Sequence, residues 1–514
     1  MSRINTNVSS VLAQSHLSRA QRELTHRFER LSTGLRINRG ADDPAGLIIS
    51  ERIRSDVEGV NSGIKNSERA SSVIATTESA LAEVGDLLNS VKSLLVESAN
   101  TGGNSPEERS ANQLQIDSAI DSITRISNTA SFGRLKLLNG SLDYTLSGLK
   151  SSAISKVQIW NASLVNNPTL QVTVDVVTSA QKAGLYYNGG TTPPGVLLSA
   201  MQLEVTGPKG VQVLNFPSNT PLASVVTAIN NTTALTGVAG GLINNNANSG
   251  MVFRSSDYGS DSFVSVKRIG GPATNDSFTT LNFRNNAAPG TAAPFDWADT
   301  NLQSAVRDSG QDVAALVNGA LATGRGLQLN VASGSLSADV LLHEDLATRP
   351  AAAASTFNIT GGGALFQVGP EVTGLQQSNM GVPSVSATRL GGTVLNGTVK
   401  FLNSLRSGQG YSIAESVATG DFTAANSILD KAIDEVSTLR GRLGAFERNV
   451  LQTNVRSLQS AFENLSASNS QIRDADFAME TSQLSRAQIL ASSGTSVLGL
   501  ANQQSQQVLQ LLGR

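Results

Sequence analysis

The sequence predicts an α+β protein in which the N- and C-terminal helices pair as an antiparallel coiled-coil rod and bracket a β-rich central insertion that projects outward. Three observations predict it. Near the N-terminus Ile53, Val60, Ser67, Ile74, Leu81, Leu88 and Leu95 recur every seven residues, all apolar except Ser67. The far end carries Phe477, Leu484, Ala491, Leu498, Ser505 and Leu512 at the same spacing. Between them lies a Gly-, Thr- and Asn-rich middle in which the period falls to two. An apolar heptad repeat held this long makes a seam for another helix rather than one face of a globular core. Two such seams at opposite termini predict that the chain pairs its own ends and keeps further seam for neighbouring copies. That describes a subunit that polymerises and not an enzyme.

Residues 1 to 42 place Leu17, Leu24 and Leu31 on one helical row and Phe28 and Leu35 on the adjacent one, with Gly34 and Gly40 as weak points. Each glycine costs a helix about 1 kcal/mol relative to alanine. Asp43-Pro44 reads as an N-cap and first helical residue, since the N–H that proline lacks is unpaired there anyway. No proline follows until after Asn100, which predicts one helix of roughly 55 residues, about 80 Å long. Gly102-Gly103 end it, and Ser105-Pro106-Glu107-Glu108 opens the next helix with a capping box. That helix carries Ile116, Ile120, Ile123 and Ile126. Leu135 to Leu138, Asn139-Gly140 and Leu142 to Leu146 then read as a β-hairpin around a type I′ turn.

In the middle, Leu170, Val172, Val174 and Val176 alternate with polar residues, as do Leu203 and Val205, and Leu327, Leu329 and Val331. Prolines recur between Pro168 and Pro383, and Leu222 to Asn230 reads as a short helix. Beyond Pro383 proline disappears and helical spacing returns with Leu429, Val436, Leu443 and Val450, then Leu451, Leu458 and Leu465. The expected domains are therefore 1–42 with 472–514 as an inner terminal helical domain, 43–165 with 400–471 as a second helical domain bearing the hairpin, and 166–399 as one or two outer β-rich domains.

Composition narrows the chemistry. The 514 residues carry a net charge of −2, which argues against a nucleic-acid footprint, and hold no cysteine, which excludes disulfides, thiolate metal sites and a cysteine nucleophile. The only histidines are His16, His26 and His343. No apolar run reaches the length of a membrane span, and Met1 is not followed by the pattern of a cleaved signal peptide. The expectation is a protein that leaves the cell without such a peptide, needs no cofactor and inserts in no membrane. His343-Glu344 lacks the second histidine one turn later that a zinc-protease helix needs, and Gly361-Gly362-Gly363 lacks the Lys-Ser/Thr of a phosphate loop. Both read as loop chemistry. Asp474 and Asp476 read as helix N-terminal acids or partners of a neighbour's arginines, and Arg19, Arg22, Arg27 and Arg30, interleaved with Glu23 and Glu29, as a solvated or inter-subunit salt-bridge face.

Several stretches in order resemble bacterial flagellin: Leu31-Ser-Thr-Gly-Leu-Arg-Ile-Asn38 with Asp42-Asp43-Pro44-Ala45-Gly46-Leu47, then Arg440-Gly-Arg-Leu-Gly-Ala445, Ile472-Arg473-Asp474-Ala475-Asp476-Phe477, Gly494-Thr495-Ser496-Val497-Leu498 and Ala501-Asn502-Gln503. The resemblance covers roughly residues 1 to 145 and 400 to 514. It implies a subunit of the bacterial flagellar filament, extracellular, joined to other copies, exported by the flagellar apparatus with a chaperone, and bounded in the filament by hook-associated and cap proteins. A hook–filament junction protein shares the terminal helices, and a flagellin whose outer domain adds adhesin or enzymatic activity is a further alternative. The assembly seam expected on this reading is Leu17, Leu24, Leu31, Leu35, Phe477, Leu484, Leu498 and Leu512. Members of the family also contact a vertebrate Toll-like receptor through an arginine, a leucine and a glutamate. Ser90, Leu94 and Gln115 stand at those positions here, and the loss of both charges predicts weak recognition.

Overall fold

The computed structural model describes residues 6–164, 169–190, 194–270, 278–284, 295–349, 354–395 and 397–512. Pro168 lies outside them. The described chain forms two compact units: Met1–Ser71 with Gln367–Gln377 and Arg448–Arg514, and Ser72–Phe366 with Ser378–Glu447.

In the first unit, helix α1 spans Val8–Thr33 and ends on Gly34, whose φ of 73° is the left-handed cap conformation that glycine adopts without a Cβ penalty. Gly34 thus terminates a helix that the sequence pattern carried on toward residue 42. Helix α2, Pro44–Ala99, belongs to this unit up to Ser71 and to the second from Ser72, and starts where Asp43 Oδ1 accepts from Gly46 N at 2.9 Å. Its heptad row is buried from Val60 to Leu95, and a second row of Gly63, Ala70, Thr77, Val84, Val91 and Ser98 is buried beside it. Two adjacent rows of this kind are the a and d positions of a coiled-coil seam.

The second unit has a helical part. Helix α3, Pro106–Thr129, opens with the capping box formed by Ser105 and Glu108 and buries Ile116, Ile120 and Ile123. Asn112 Nδ2 donates to Ser98 Oγ of α2 at 3.2 Å. Gln113 donates to Leu405 O and accepts from Ile413 N. The expected hairpin at 135–146 does not form. Leu135–Lys136 pairs back with Ser131–Phe132 instead, and Leu137 and Leu138 are both fully buried, which no two-faced strand allows.

Tyr144–Ser147 is instead β1 of an eight-stranded antiparallel sheet. The others are β2 (Ile154–Ala162), β3 (Leu170–Thr178), β4 (Ala314–Val317), β5 (Ala320–Arg325), β6 (Gln328–Ala332), β7 (Leu336–Leu342) and β8 (Ser355–Gly362). Their order is β1-β8-β3-β4-β5-β6-β7-β2, so the first two strands in sequence form the two edges. Residues 381–382 link β2 to the turn that precedes β1: Gly381 N donates to Trp160 O and Val382 N to Leu142 O, at 2.8 and 2.9 Å. Inward-facing Val172, Val174 and Val176 of β3 and Leu329 and Val331 of β6 fill the core, as their alternation predicts.

Inserted between β3 and β4 is a smaller body with its own core, built from a five-stranded and a four-stranded sheet and helix α4, Leu222–Asn231. The chain then returns to helix with α5 (Ile413–Thr419) and α6 (Thr423–Phe446), whose Lys92–Asp430 ion pair ties α6 to α2. A π-helical turn at Glu447–Leu451 leads into α7, Gln452–Arg473, of the first unit. The last helix is α8, Phe477–Leu512.

Candidate assembly interface

Helices α1 and α8 lie antiparallel within the first unit. Near the start of α1, Asn7 Nδ2 donates to Ala501 O at 2.9 Å and Ser10 Oγ to Asn502 Oδ1 at 2.7 Å. Midway, Leu17 packs on Gly494, where an added Cβ would stand 3.3 Å from Leu17 Cδ1. Toward its end, Arg27 and Arg30 converge on Glu480. The face of α1 turned inward is Ser10, Ala13, Leu17, Ala20, Leu24, Arg27 and Leu31, a 3-4 spacing, and α8 answers with Glu480, Leu484, Ala487, Ala491, Gly494, Leu498 and Ala501. Alanine and glycine at so many of these positions keep the helix axes close.

A seam of small residues grips weakly and lets helices slide by a heptad, so the polar contacts fix the register. Glu480 accepts from Arg27 Nη1 at 2.8 Å and from Arg30 Nη1 at 3.0 Å, and its side chain is 8% exposed. Burial pushes its carboxyl up, but the hydrogen bonds from Arg27 and then Arg30 outweigh that and hold it below the ordinary carboxylate range. Glu23 also pairs with Arg27, and Glu29 with Arg39, so Arg27 and Arg30 of the expected charged face are paired within the chain.

The junction between the helices is equally specified. Arg36 N donates to Arg473 O at 2.7 Å and Ala475 N to Gly34 O at 2.9 Å, so residues 34–36 and 473–475 zip together beside the Leu35–Asp474 bridge. Asp42 accepts from Asn38 N, Arg39 N and His26 Nε2. The Arg39 N–H and the His26 ring bring its carboxyl down to about 2. Asp476 accepts from Met479 N at the start of α8, and Arg473 pairs with Glu51 of α2.

The expected seam residues fall in three places. Leu17, Leu24, Leu31, Leu35, Leu484 and Leu498 are half-buried. Phe477 shares the heptad row of Leu484 yet is 67% exposed. Leu512 closes α8, and its side chain lies outside the described residues. Beyond the pair's own contact, α1 displays Val8, Val11, Leu12 and Phe28, and α8 displays Met479, Ile489, Leu490, Val497 and Leu500, all at least half exposed. Apolar residues on the outer face of both helices make a candidate contact surface. Glu480 and the small residues facing it escaped an apolar-periodicity reading because none of them is a large hydrophobe. In the second unit Ser90 and Gln115 are exposed and Leu94 half-buried. His343 caps a four-residue helix, its Nδ1 accepting from Asp345 N at 3.3 Å.

Comparison with known proteins matches both ends of the chain. A model of the bacterial flagellin N-terminal helical region matches residues 4–143, and one of the bacterial flagellin C-terminal helical region matches residues 427–512. The B-type flagellin of Pseudomonas aeruginosa is 28% identical over 519 residues, covering 99% of each chain. Flagellin E of Vibrio cholerae is 27% identical over 509 residues, covering 99% of this chain and 98% of its own. Among solved structures, FlgL of Xanthomonas campestris aligns over 82% of this chain and 99% of its own at 13% identity, but its TM-score of 0.27 carries no argument. With both terminal regions matched and relatives spanning its whole length, this chain belongs to the bacterial flagellin family.

Proposed function

We infer that this chain is a structural subunit that polymerises through its terminal helices into the extracellular filament of a bacterial flagellum, and so serves motility. The observation that carries the reading is the antiparallel α1–α8 pair, register-locked inside by Glu480 and apolar on the faces it leaves to solvent. Leu17, Leu24, Leu31, Leu35, Phe477, Leu484, Leu498 and Leu512 form the proposed seam. The role is mechanical, with no catalytic residue and no cofactor proposed. Export without a cleaved signal peptide, a chaperone that shields the terminal helices before assembly, and hook-associated and cap proteins at the filament's ends complete the proposal. The exposed Ser90 and Gln115 supply no charge to a Toll-like receptor, which fits weak recognition.

The test is polymerisation of purified protein followed by sedimentation and electron microscopy. Long filaments of uniform width above a sharp critical concentration are the expected result. A protein that stays monomeric at every concentration, or stops at short oligomers, overturns the reading.

A further inference from the structure

Strands Ala364–Gln367 and Gln377–Met380 pair, and the tip between them belongs to the first unit although it comes from the β-rich middle of the sequence. The tip rests on α2 and α7. Asn454 Nδ2 of α7 donates to Val368 O at 2.7 Å and also to Ser67 Oγ of α2 at 3.2 Å. Gly59 and Gly63 admit it. A Cβ on Gly59 would stand 3.2 Å from Pro370, and one on Gly63 would stand 3.2 Å from Val368 O and 3.1 Å from Leu458.

The tip is also tied to itself. Gln367 Nε2 donates to Gly369 O and Glu371 O, at 3.0 and 2.7 Å. Gln376 O accepts from Val368 N and Gly369 N, and Gln376 Oε1 accepts from Glu371 N. On this fixed platform Val372 is 85% exposed and Leu375 is 96% exposed. An ordered loop that holds two aliphatic side chains almost wholly in water gains nothing for its own chain, since burial and not exposure stabilises them.

We propose that the 367–377 tip is an intersubunit contact in which Val372 and Leu375 dock on a second copy of this chain. The proposal rests on the filament reading above. The tip's only charge is Glu371, so an ionic or nucleic-acid partner finds little to pair with. A second copy offers apolar counter-surface on the same unit, at the exposed Ile48 and Ile49 of α2 and Phe462 of α7. A polymer of this chain also brings that unit of one copy beside others at every position.

The absence of cysteine makes the test direct. Leu375→Cys and, as a control on an exposed strand residue of β5, Leu321→Cys are each doped into excess unmodified protein and treated with a maleimide before and after polymerisation. Leu375→Cys is expected to label as fast as the control in monomer and at least about tenfold more slowly in filaments, because burial of the pair excludes reagent. Exclusion of Leu375→Cys from filaments that the unmodified protein forms, with its melting unchanged, supports the same contact. Labelling in filaments at the monomer rate overturns the proposal. So does protection already present in monomer, which means that the chain covers its own tip. Val372→Ser with Leu375→Ser is expected to raise the critical concentration at least about tenfold, the loss of roughly two half-buried side chains. Failure of the unmodified protein to polymerise refutes the filament reading and is distinguishable from all of these results.

Discussion

Replacing Glu480 with alanine tests whether the α1–α8 register is held by charge. The substitution leaves Arg27 and Arg30 facing a seam where each side chain is 17% exposed. Removing one partner of a fully buried ion pair costs about 3–5 kcal/mol because the remaining charge loses its counter-ion. Partial exposure and the second partner of Arg27, Glu23, reduce this, and about 2 kcal/mol is the expected cost. At 1.4 kcal/mol per factor of ten, local opening of α1 becomes roughly thirtyfold more frequent. Amide hydrogen exchange over Val8–Thr33 in the full-length protein reads that change directly. A triple variant, Arg27→Met, Arg30→Met and Glu480→Leu, should recover most of the lost protection, because an apolar seam of similar volume carries no desolvated charge. If Glu480→Ala leaves α1 exchange unchanged, or if the triple variant exchanges faster than the single one, the charge-locked seam is wrong.

Acid should loosen the same unit. Asp42 falls from its ordinary 3.8 to about 2 and Glu480 lies below its ordinary 4.5, so both contribute stability that is complete above those ordinary values and lost as pH falls through the folded ones. The protection of α1 amides, taken relative to their intrinsic exchange rate at each pH, should be constant from neutrality to about pH 5 and fall below about pH 4; an unshifted acid midpoint in Asp42→Asn with Glu480→Gln refutes this. Gly63→Val forces a branched side chain against Leu458 and the Val368 carbonyl and should destabilise by about 1–3 kcal/mol in denaturant melts. Gly85→Ala, with nothing within 4 Å of the new methyl, should stabilise by about 1 kcal/mol, and equal effects at the two sites contradict the packing described. Leu498→Asp with Leu512→Asp should raise the critical concentration more than about tenfold by placing carboxylates in an apolar seam, while the melt of the remaining fold stays put; normal filament yield refutes that.

What could be read ahead of the structure were features with local causes. Ser105-Pro106 and Asp43-Pro44 mark helix starts because capping chemistry sits within four residues, and both helices begin there. The alternation of Leu170 to Val176 sits on β3, because period two belongs to a strand with one buried face. Gly34 was legible as a weak point but not as a terminus, since only its positive φ and the zip to residues 473–475 decide between the two. The misread hairpin shows the limit more sharply. Asn139-Gly140 is good turn chemistry, but the partner of Tyr144–Ser147 is β8, some two hundred residues away, and nothing local announces it. Glu480 was invisible for the same reason: its meaning depends on Arg27 and Arg30, 453 and 450 residues distant. So was the tip at 367–377, whose anchors are two glycines and an asparagine that carry no periodic signal.

The pairings nest like brackets: β2 with β7 inside β1 with β8, and both inside α1 with α8. Nesting imposes an order of events on a folding chain. Closing a loop of about 450 unstructured residues costs roughly 5 kcal/mol of chain entropy, and the shallow small-residue seam of α1 and α8 gives little in return. Once the inner brackets have closed, the same two helices are tethered by folded protein and the effective loop is far shorter. The outermost pair is therefore the last to form and the first to open, whichever end of the chain emerges first. A chain built this way delays its most adhesive surface until the rest of it is finished.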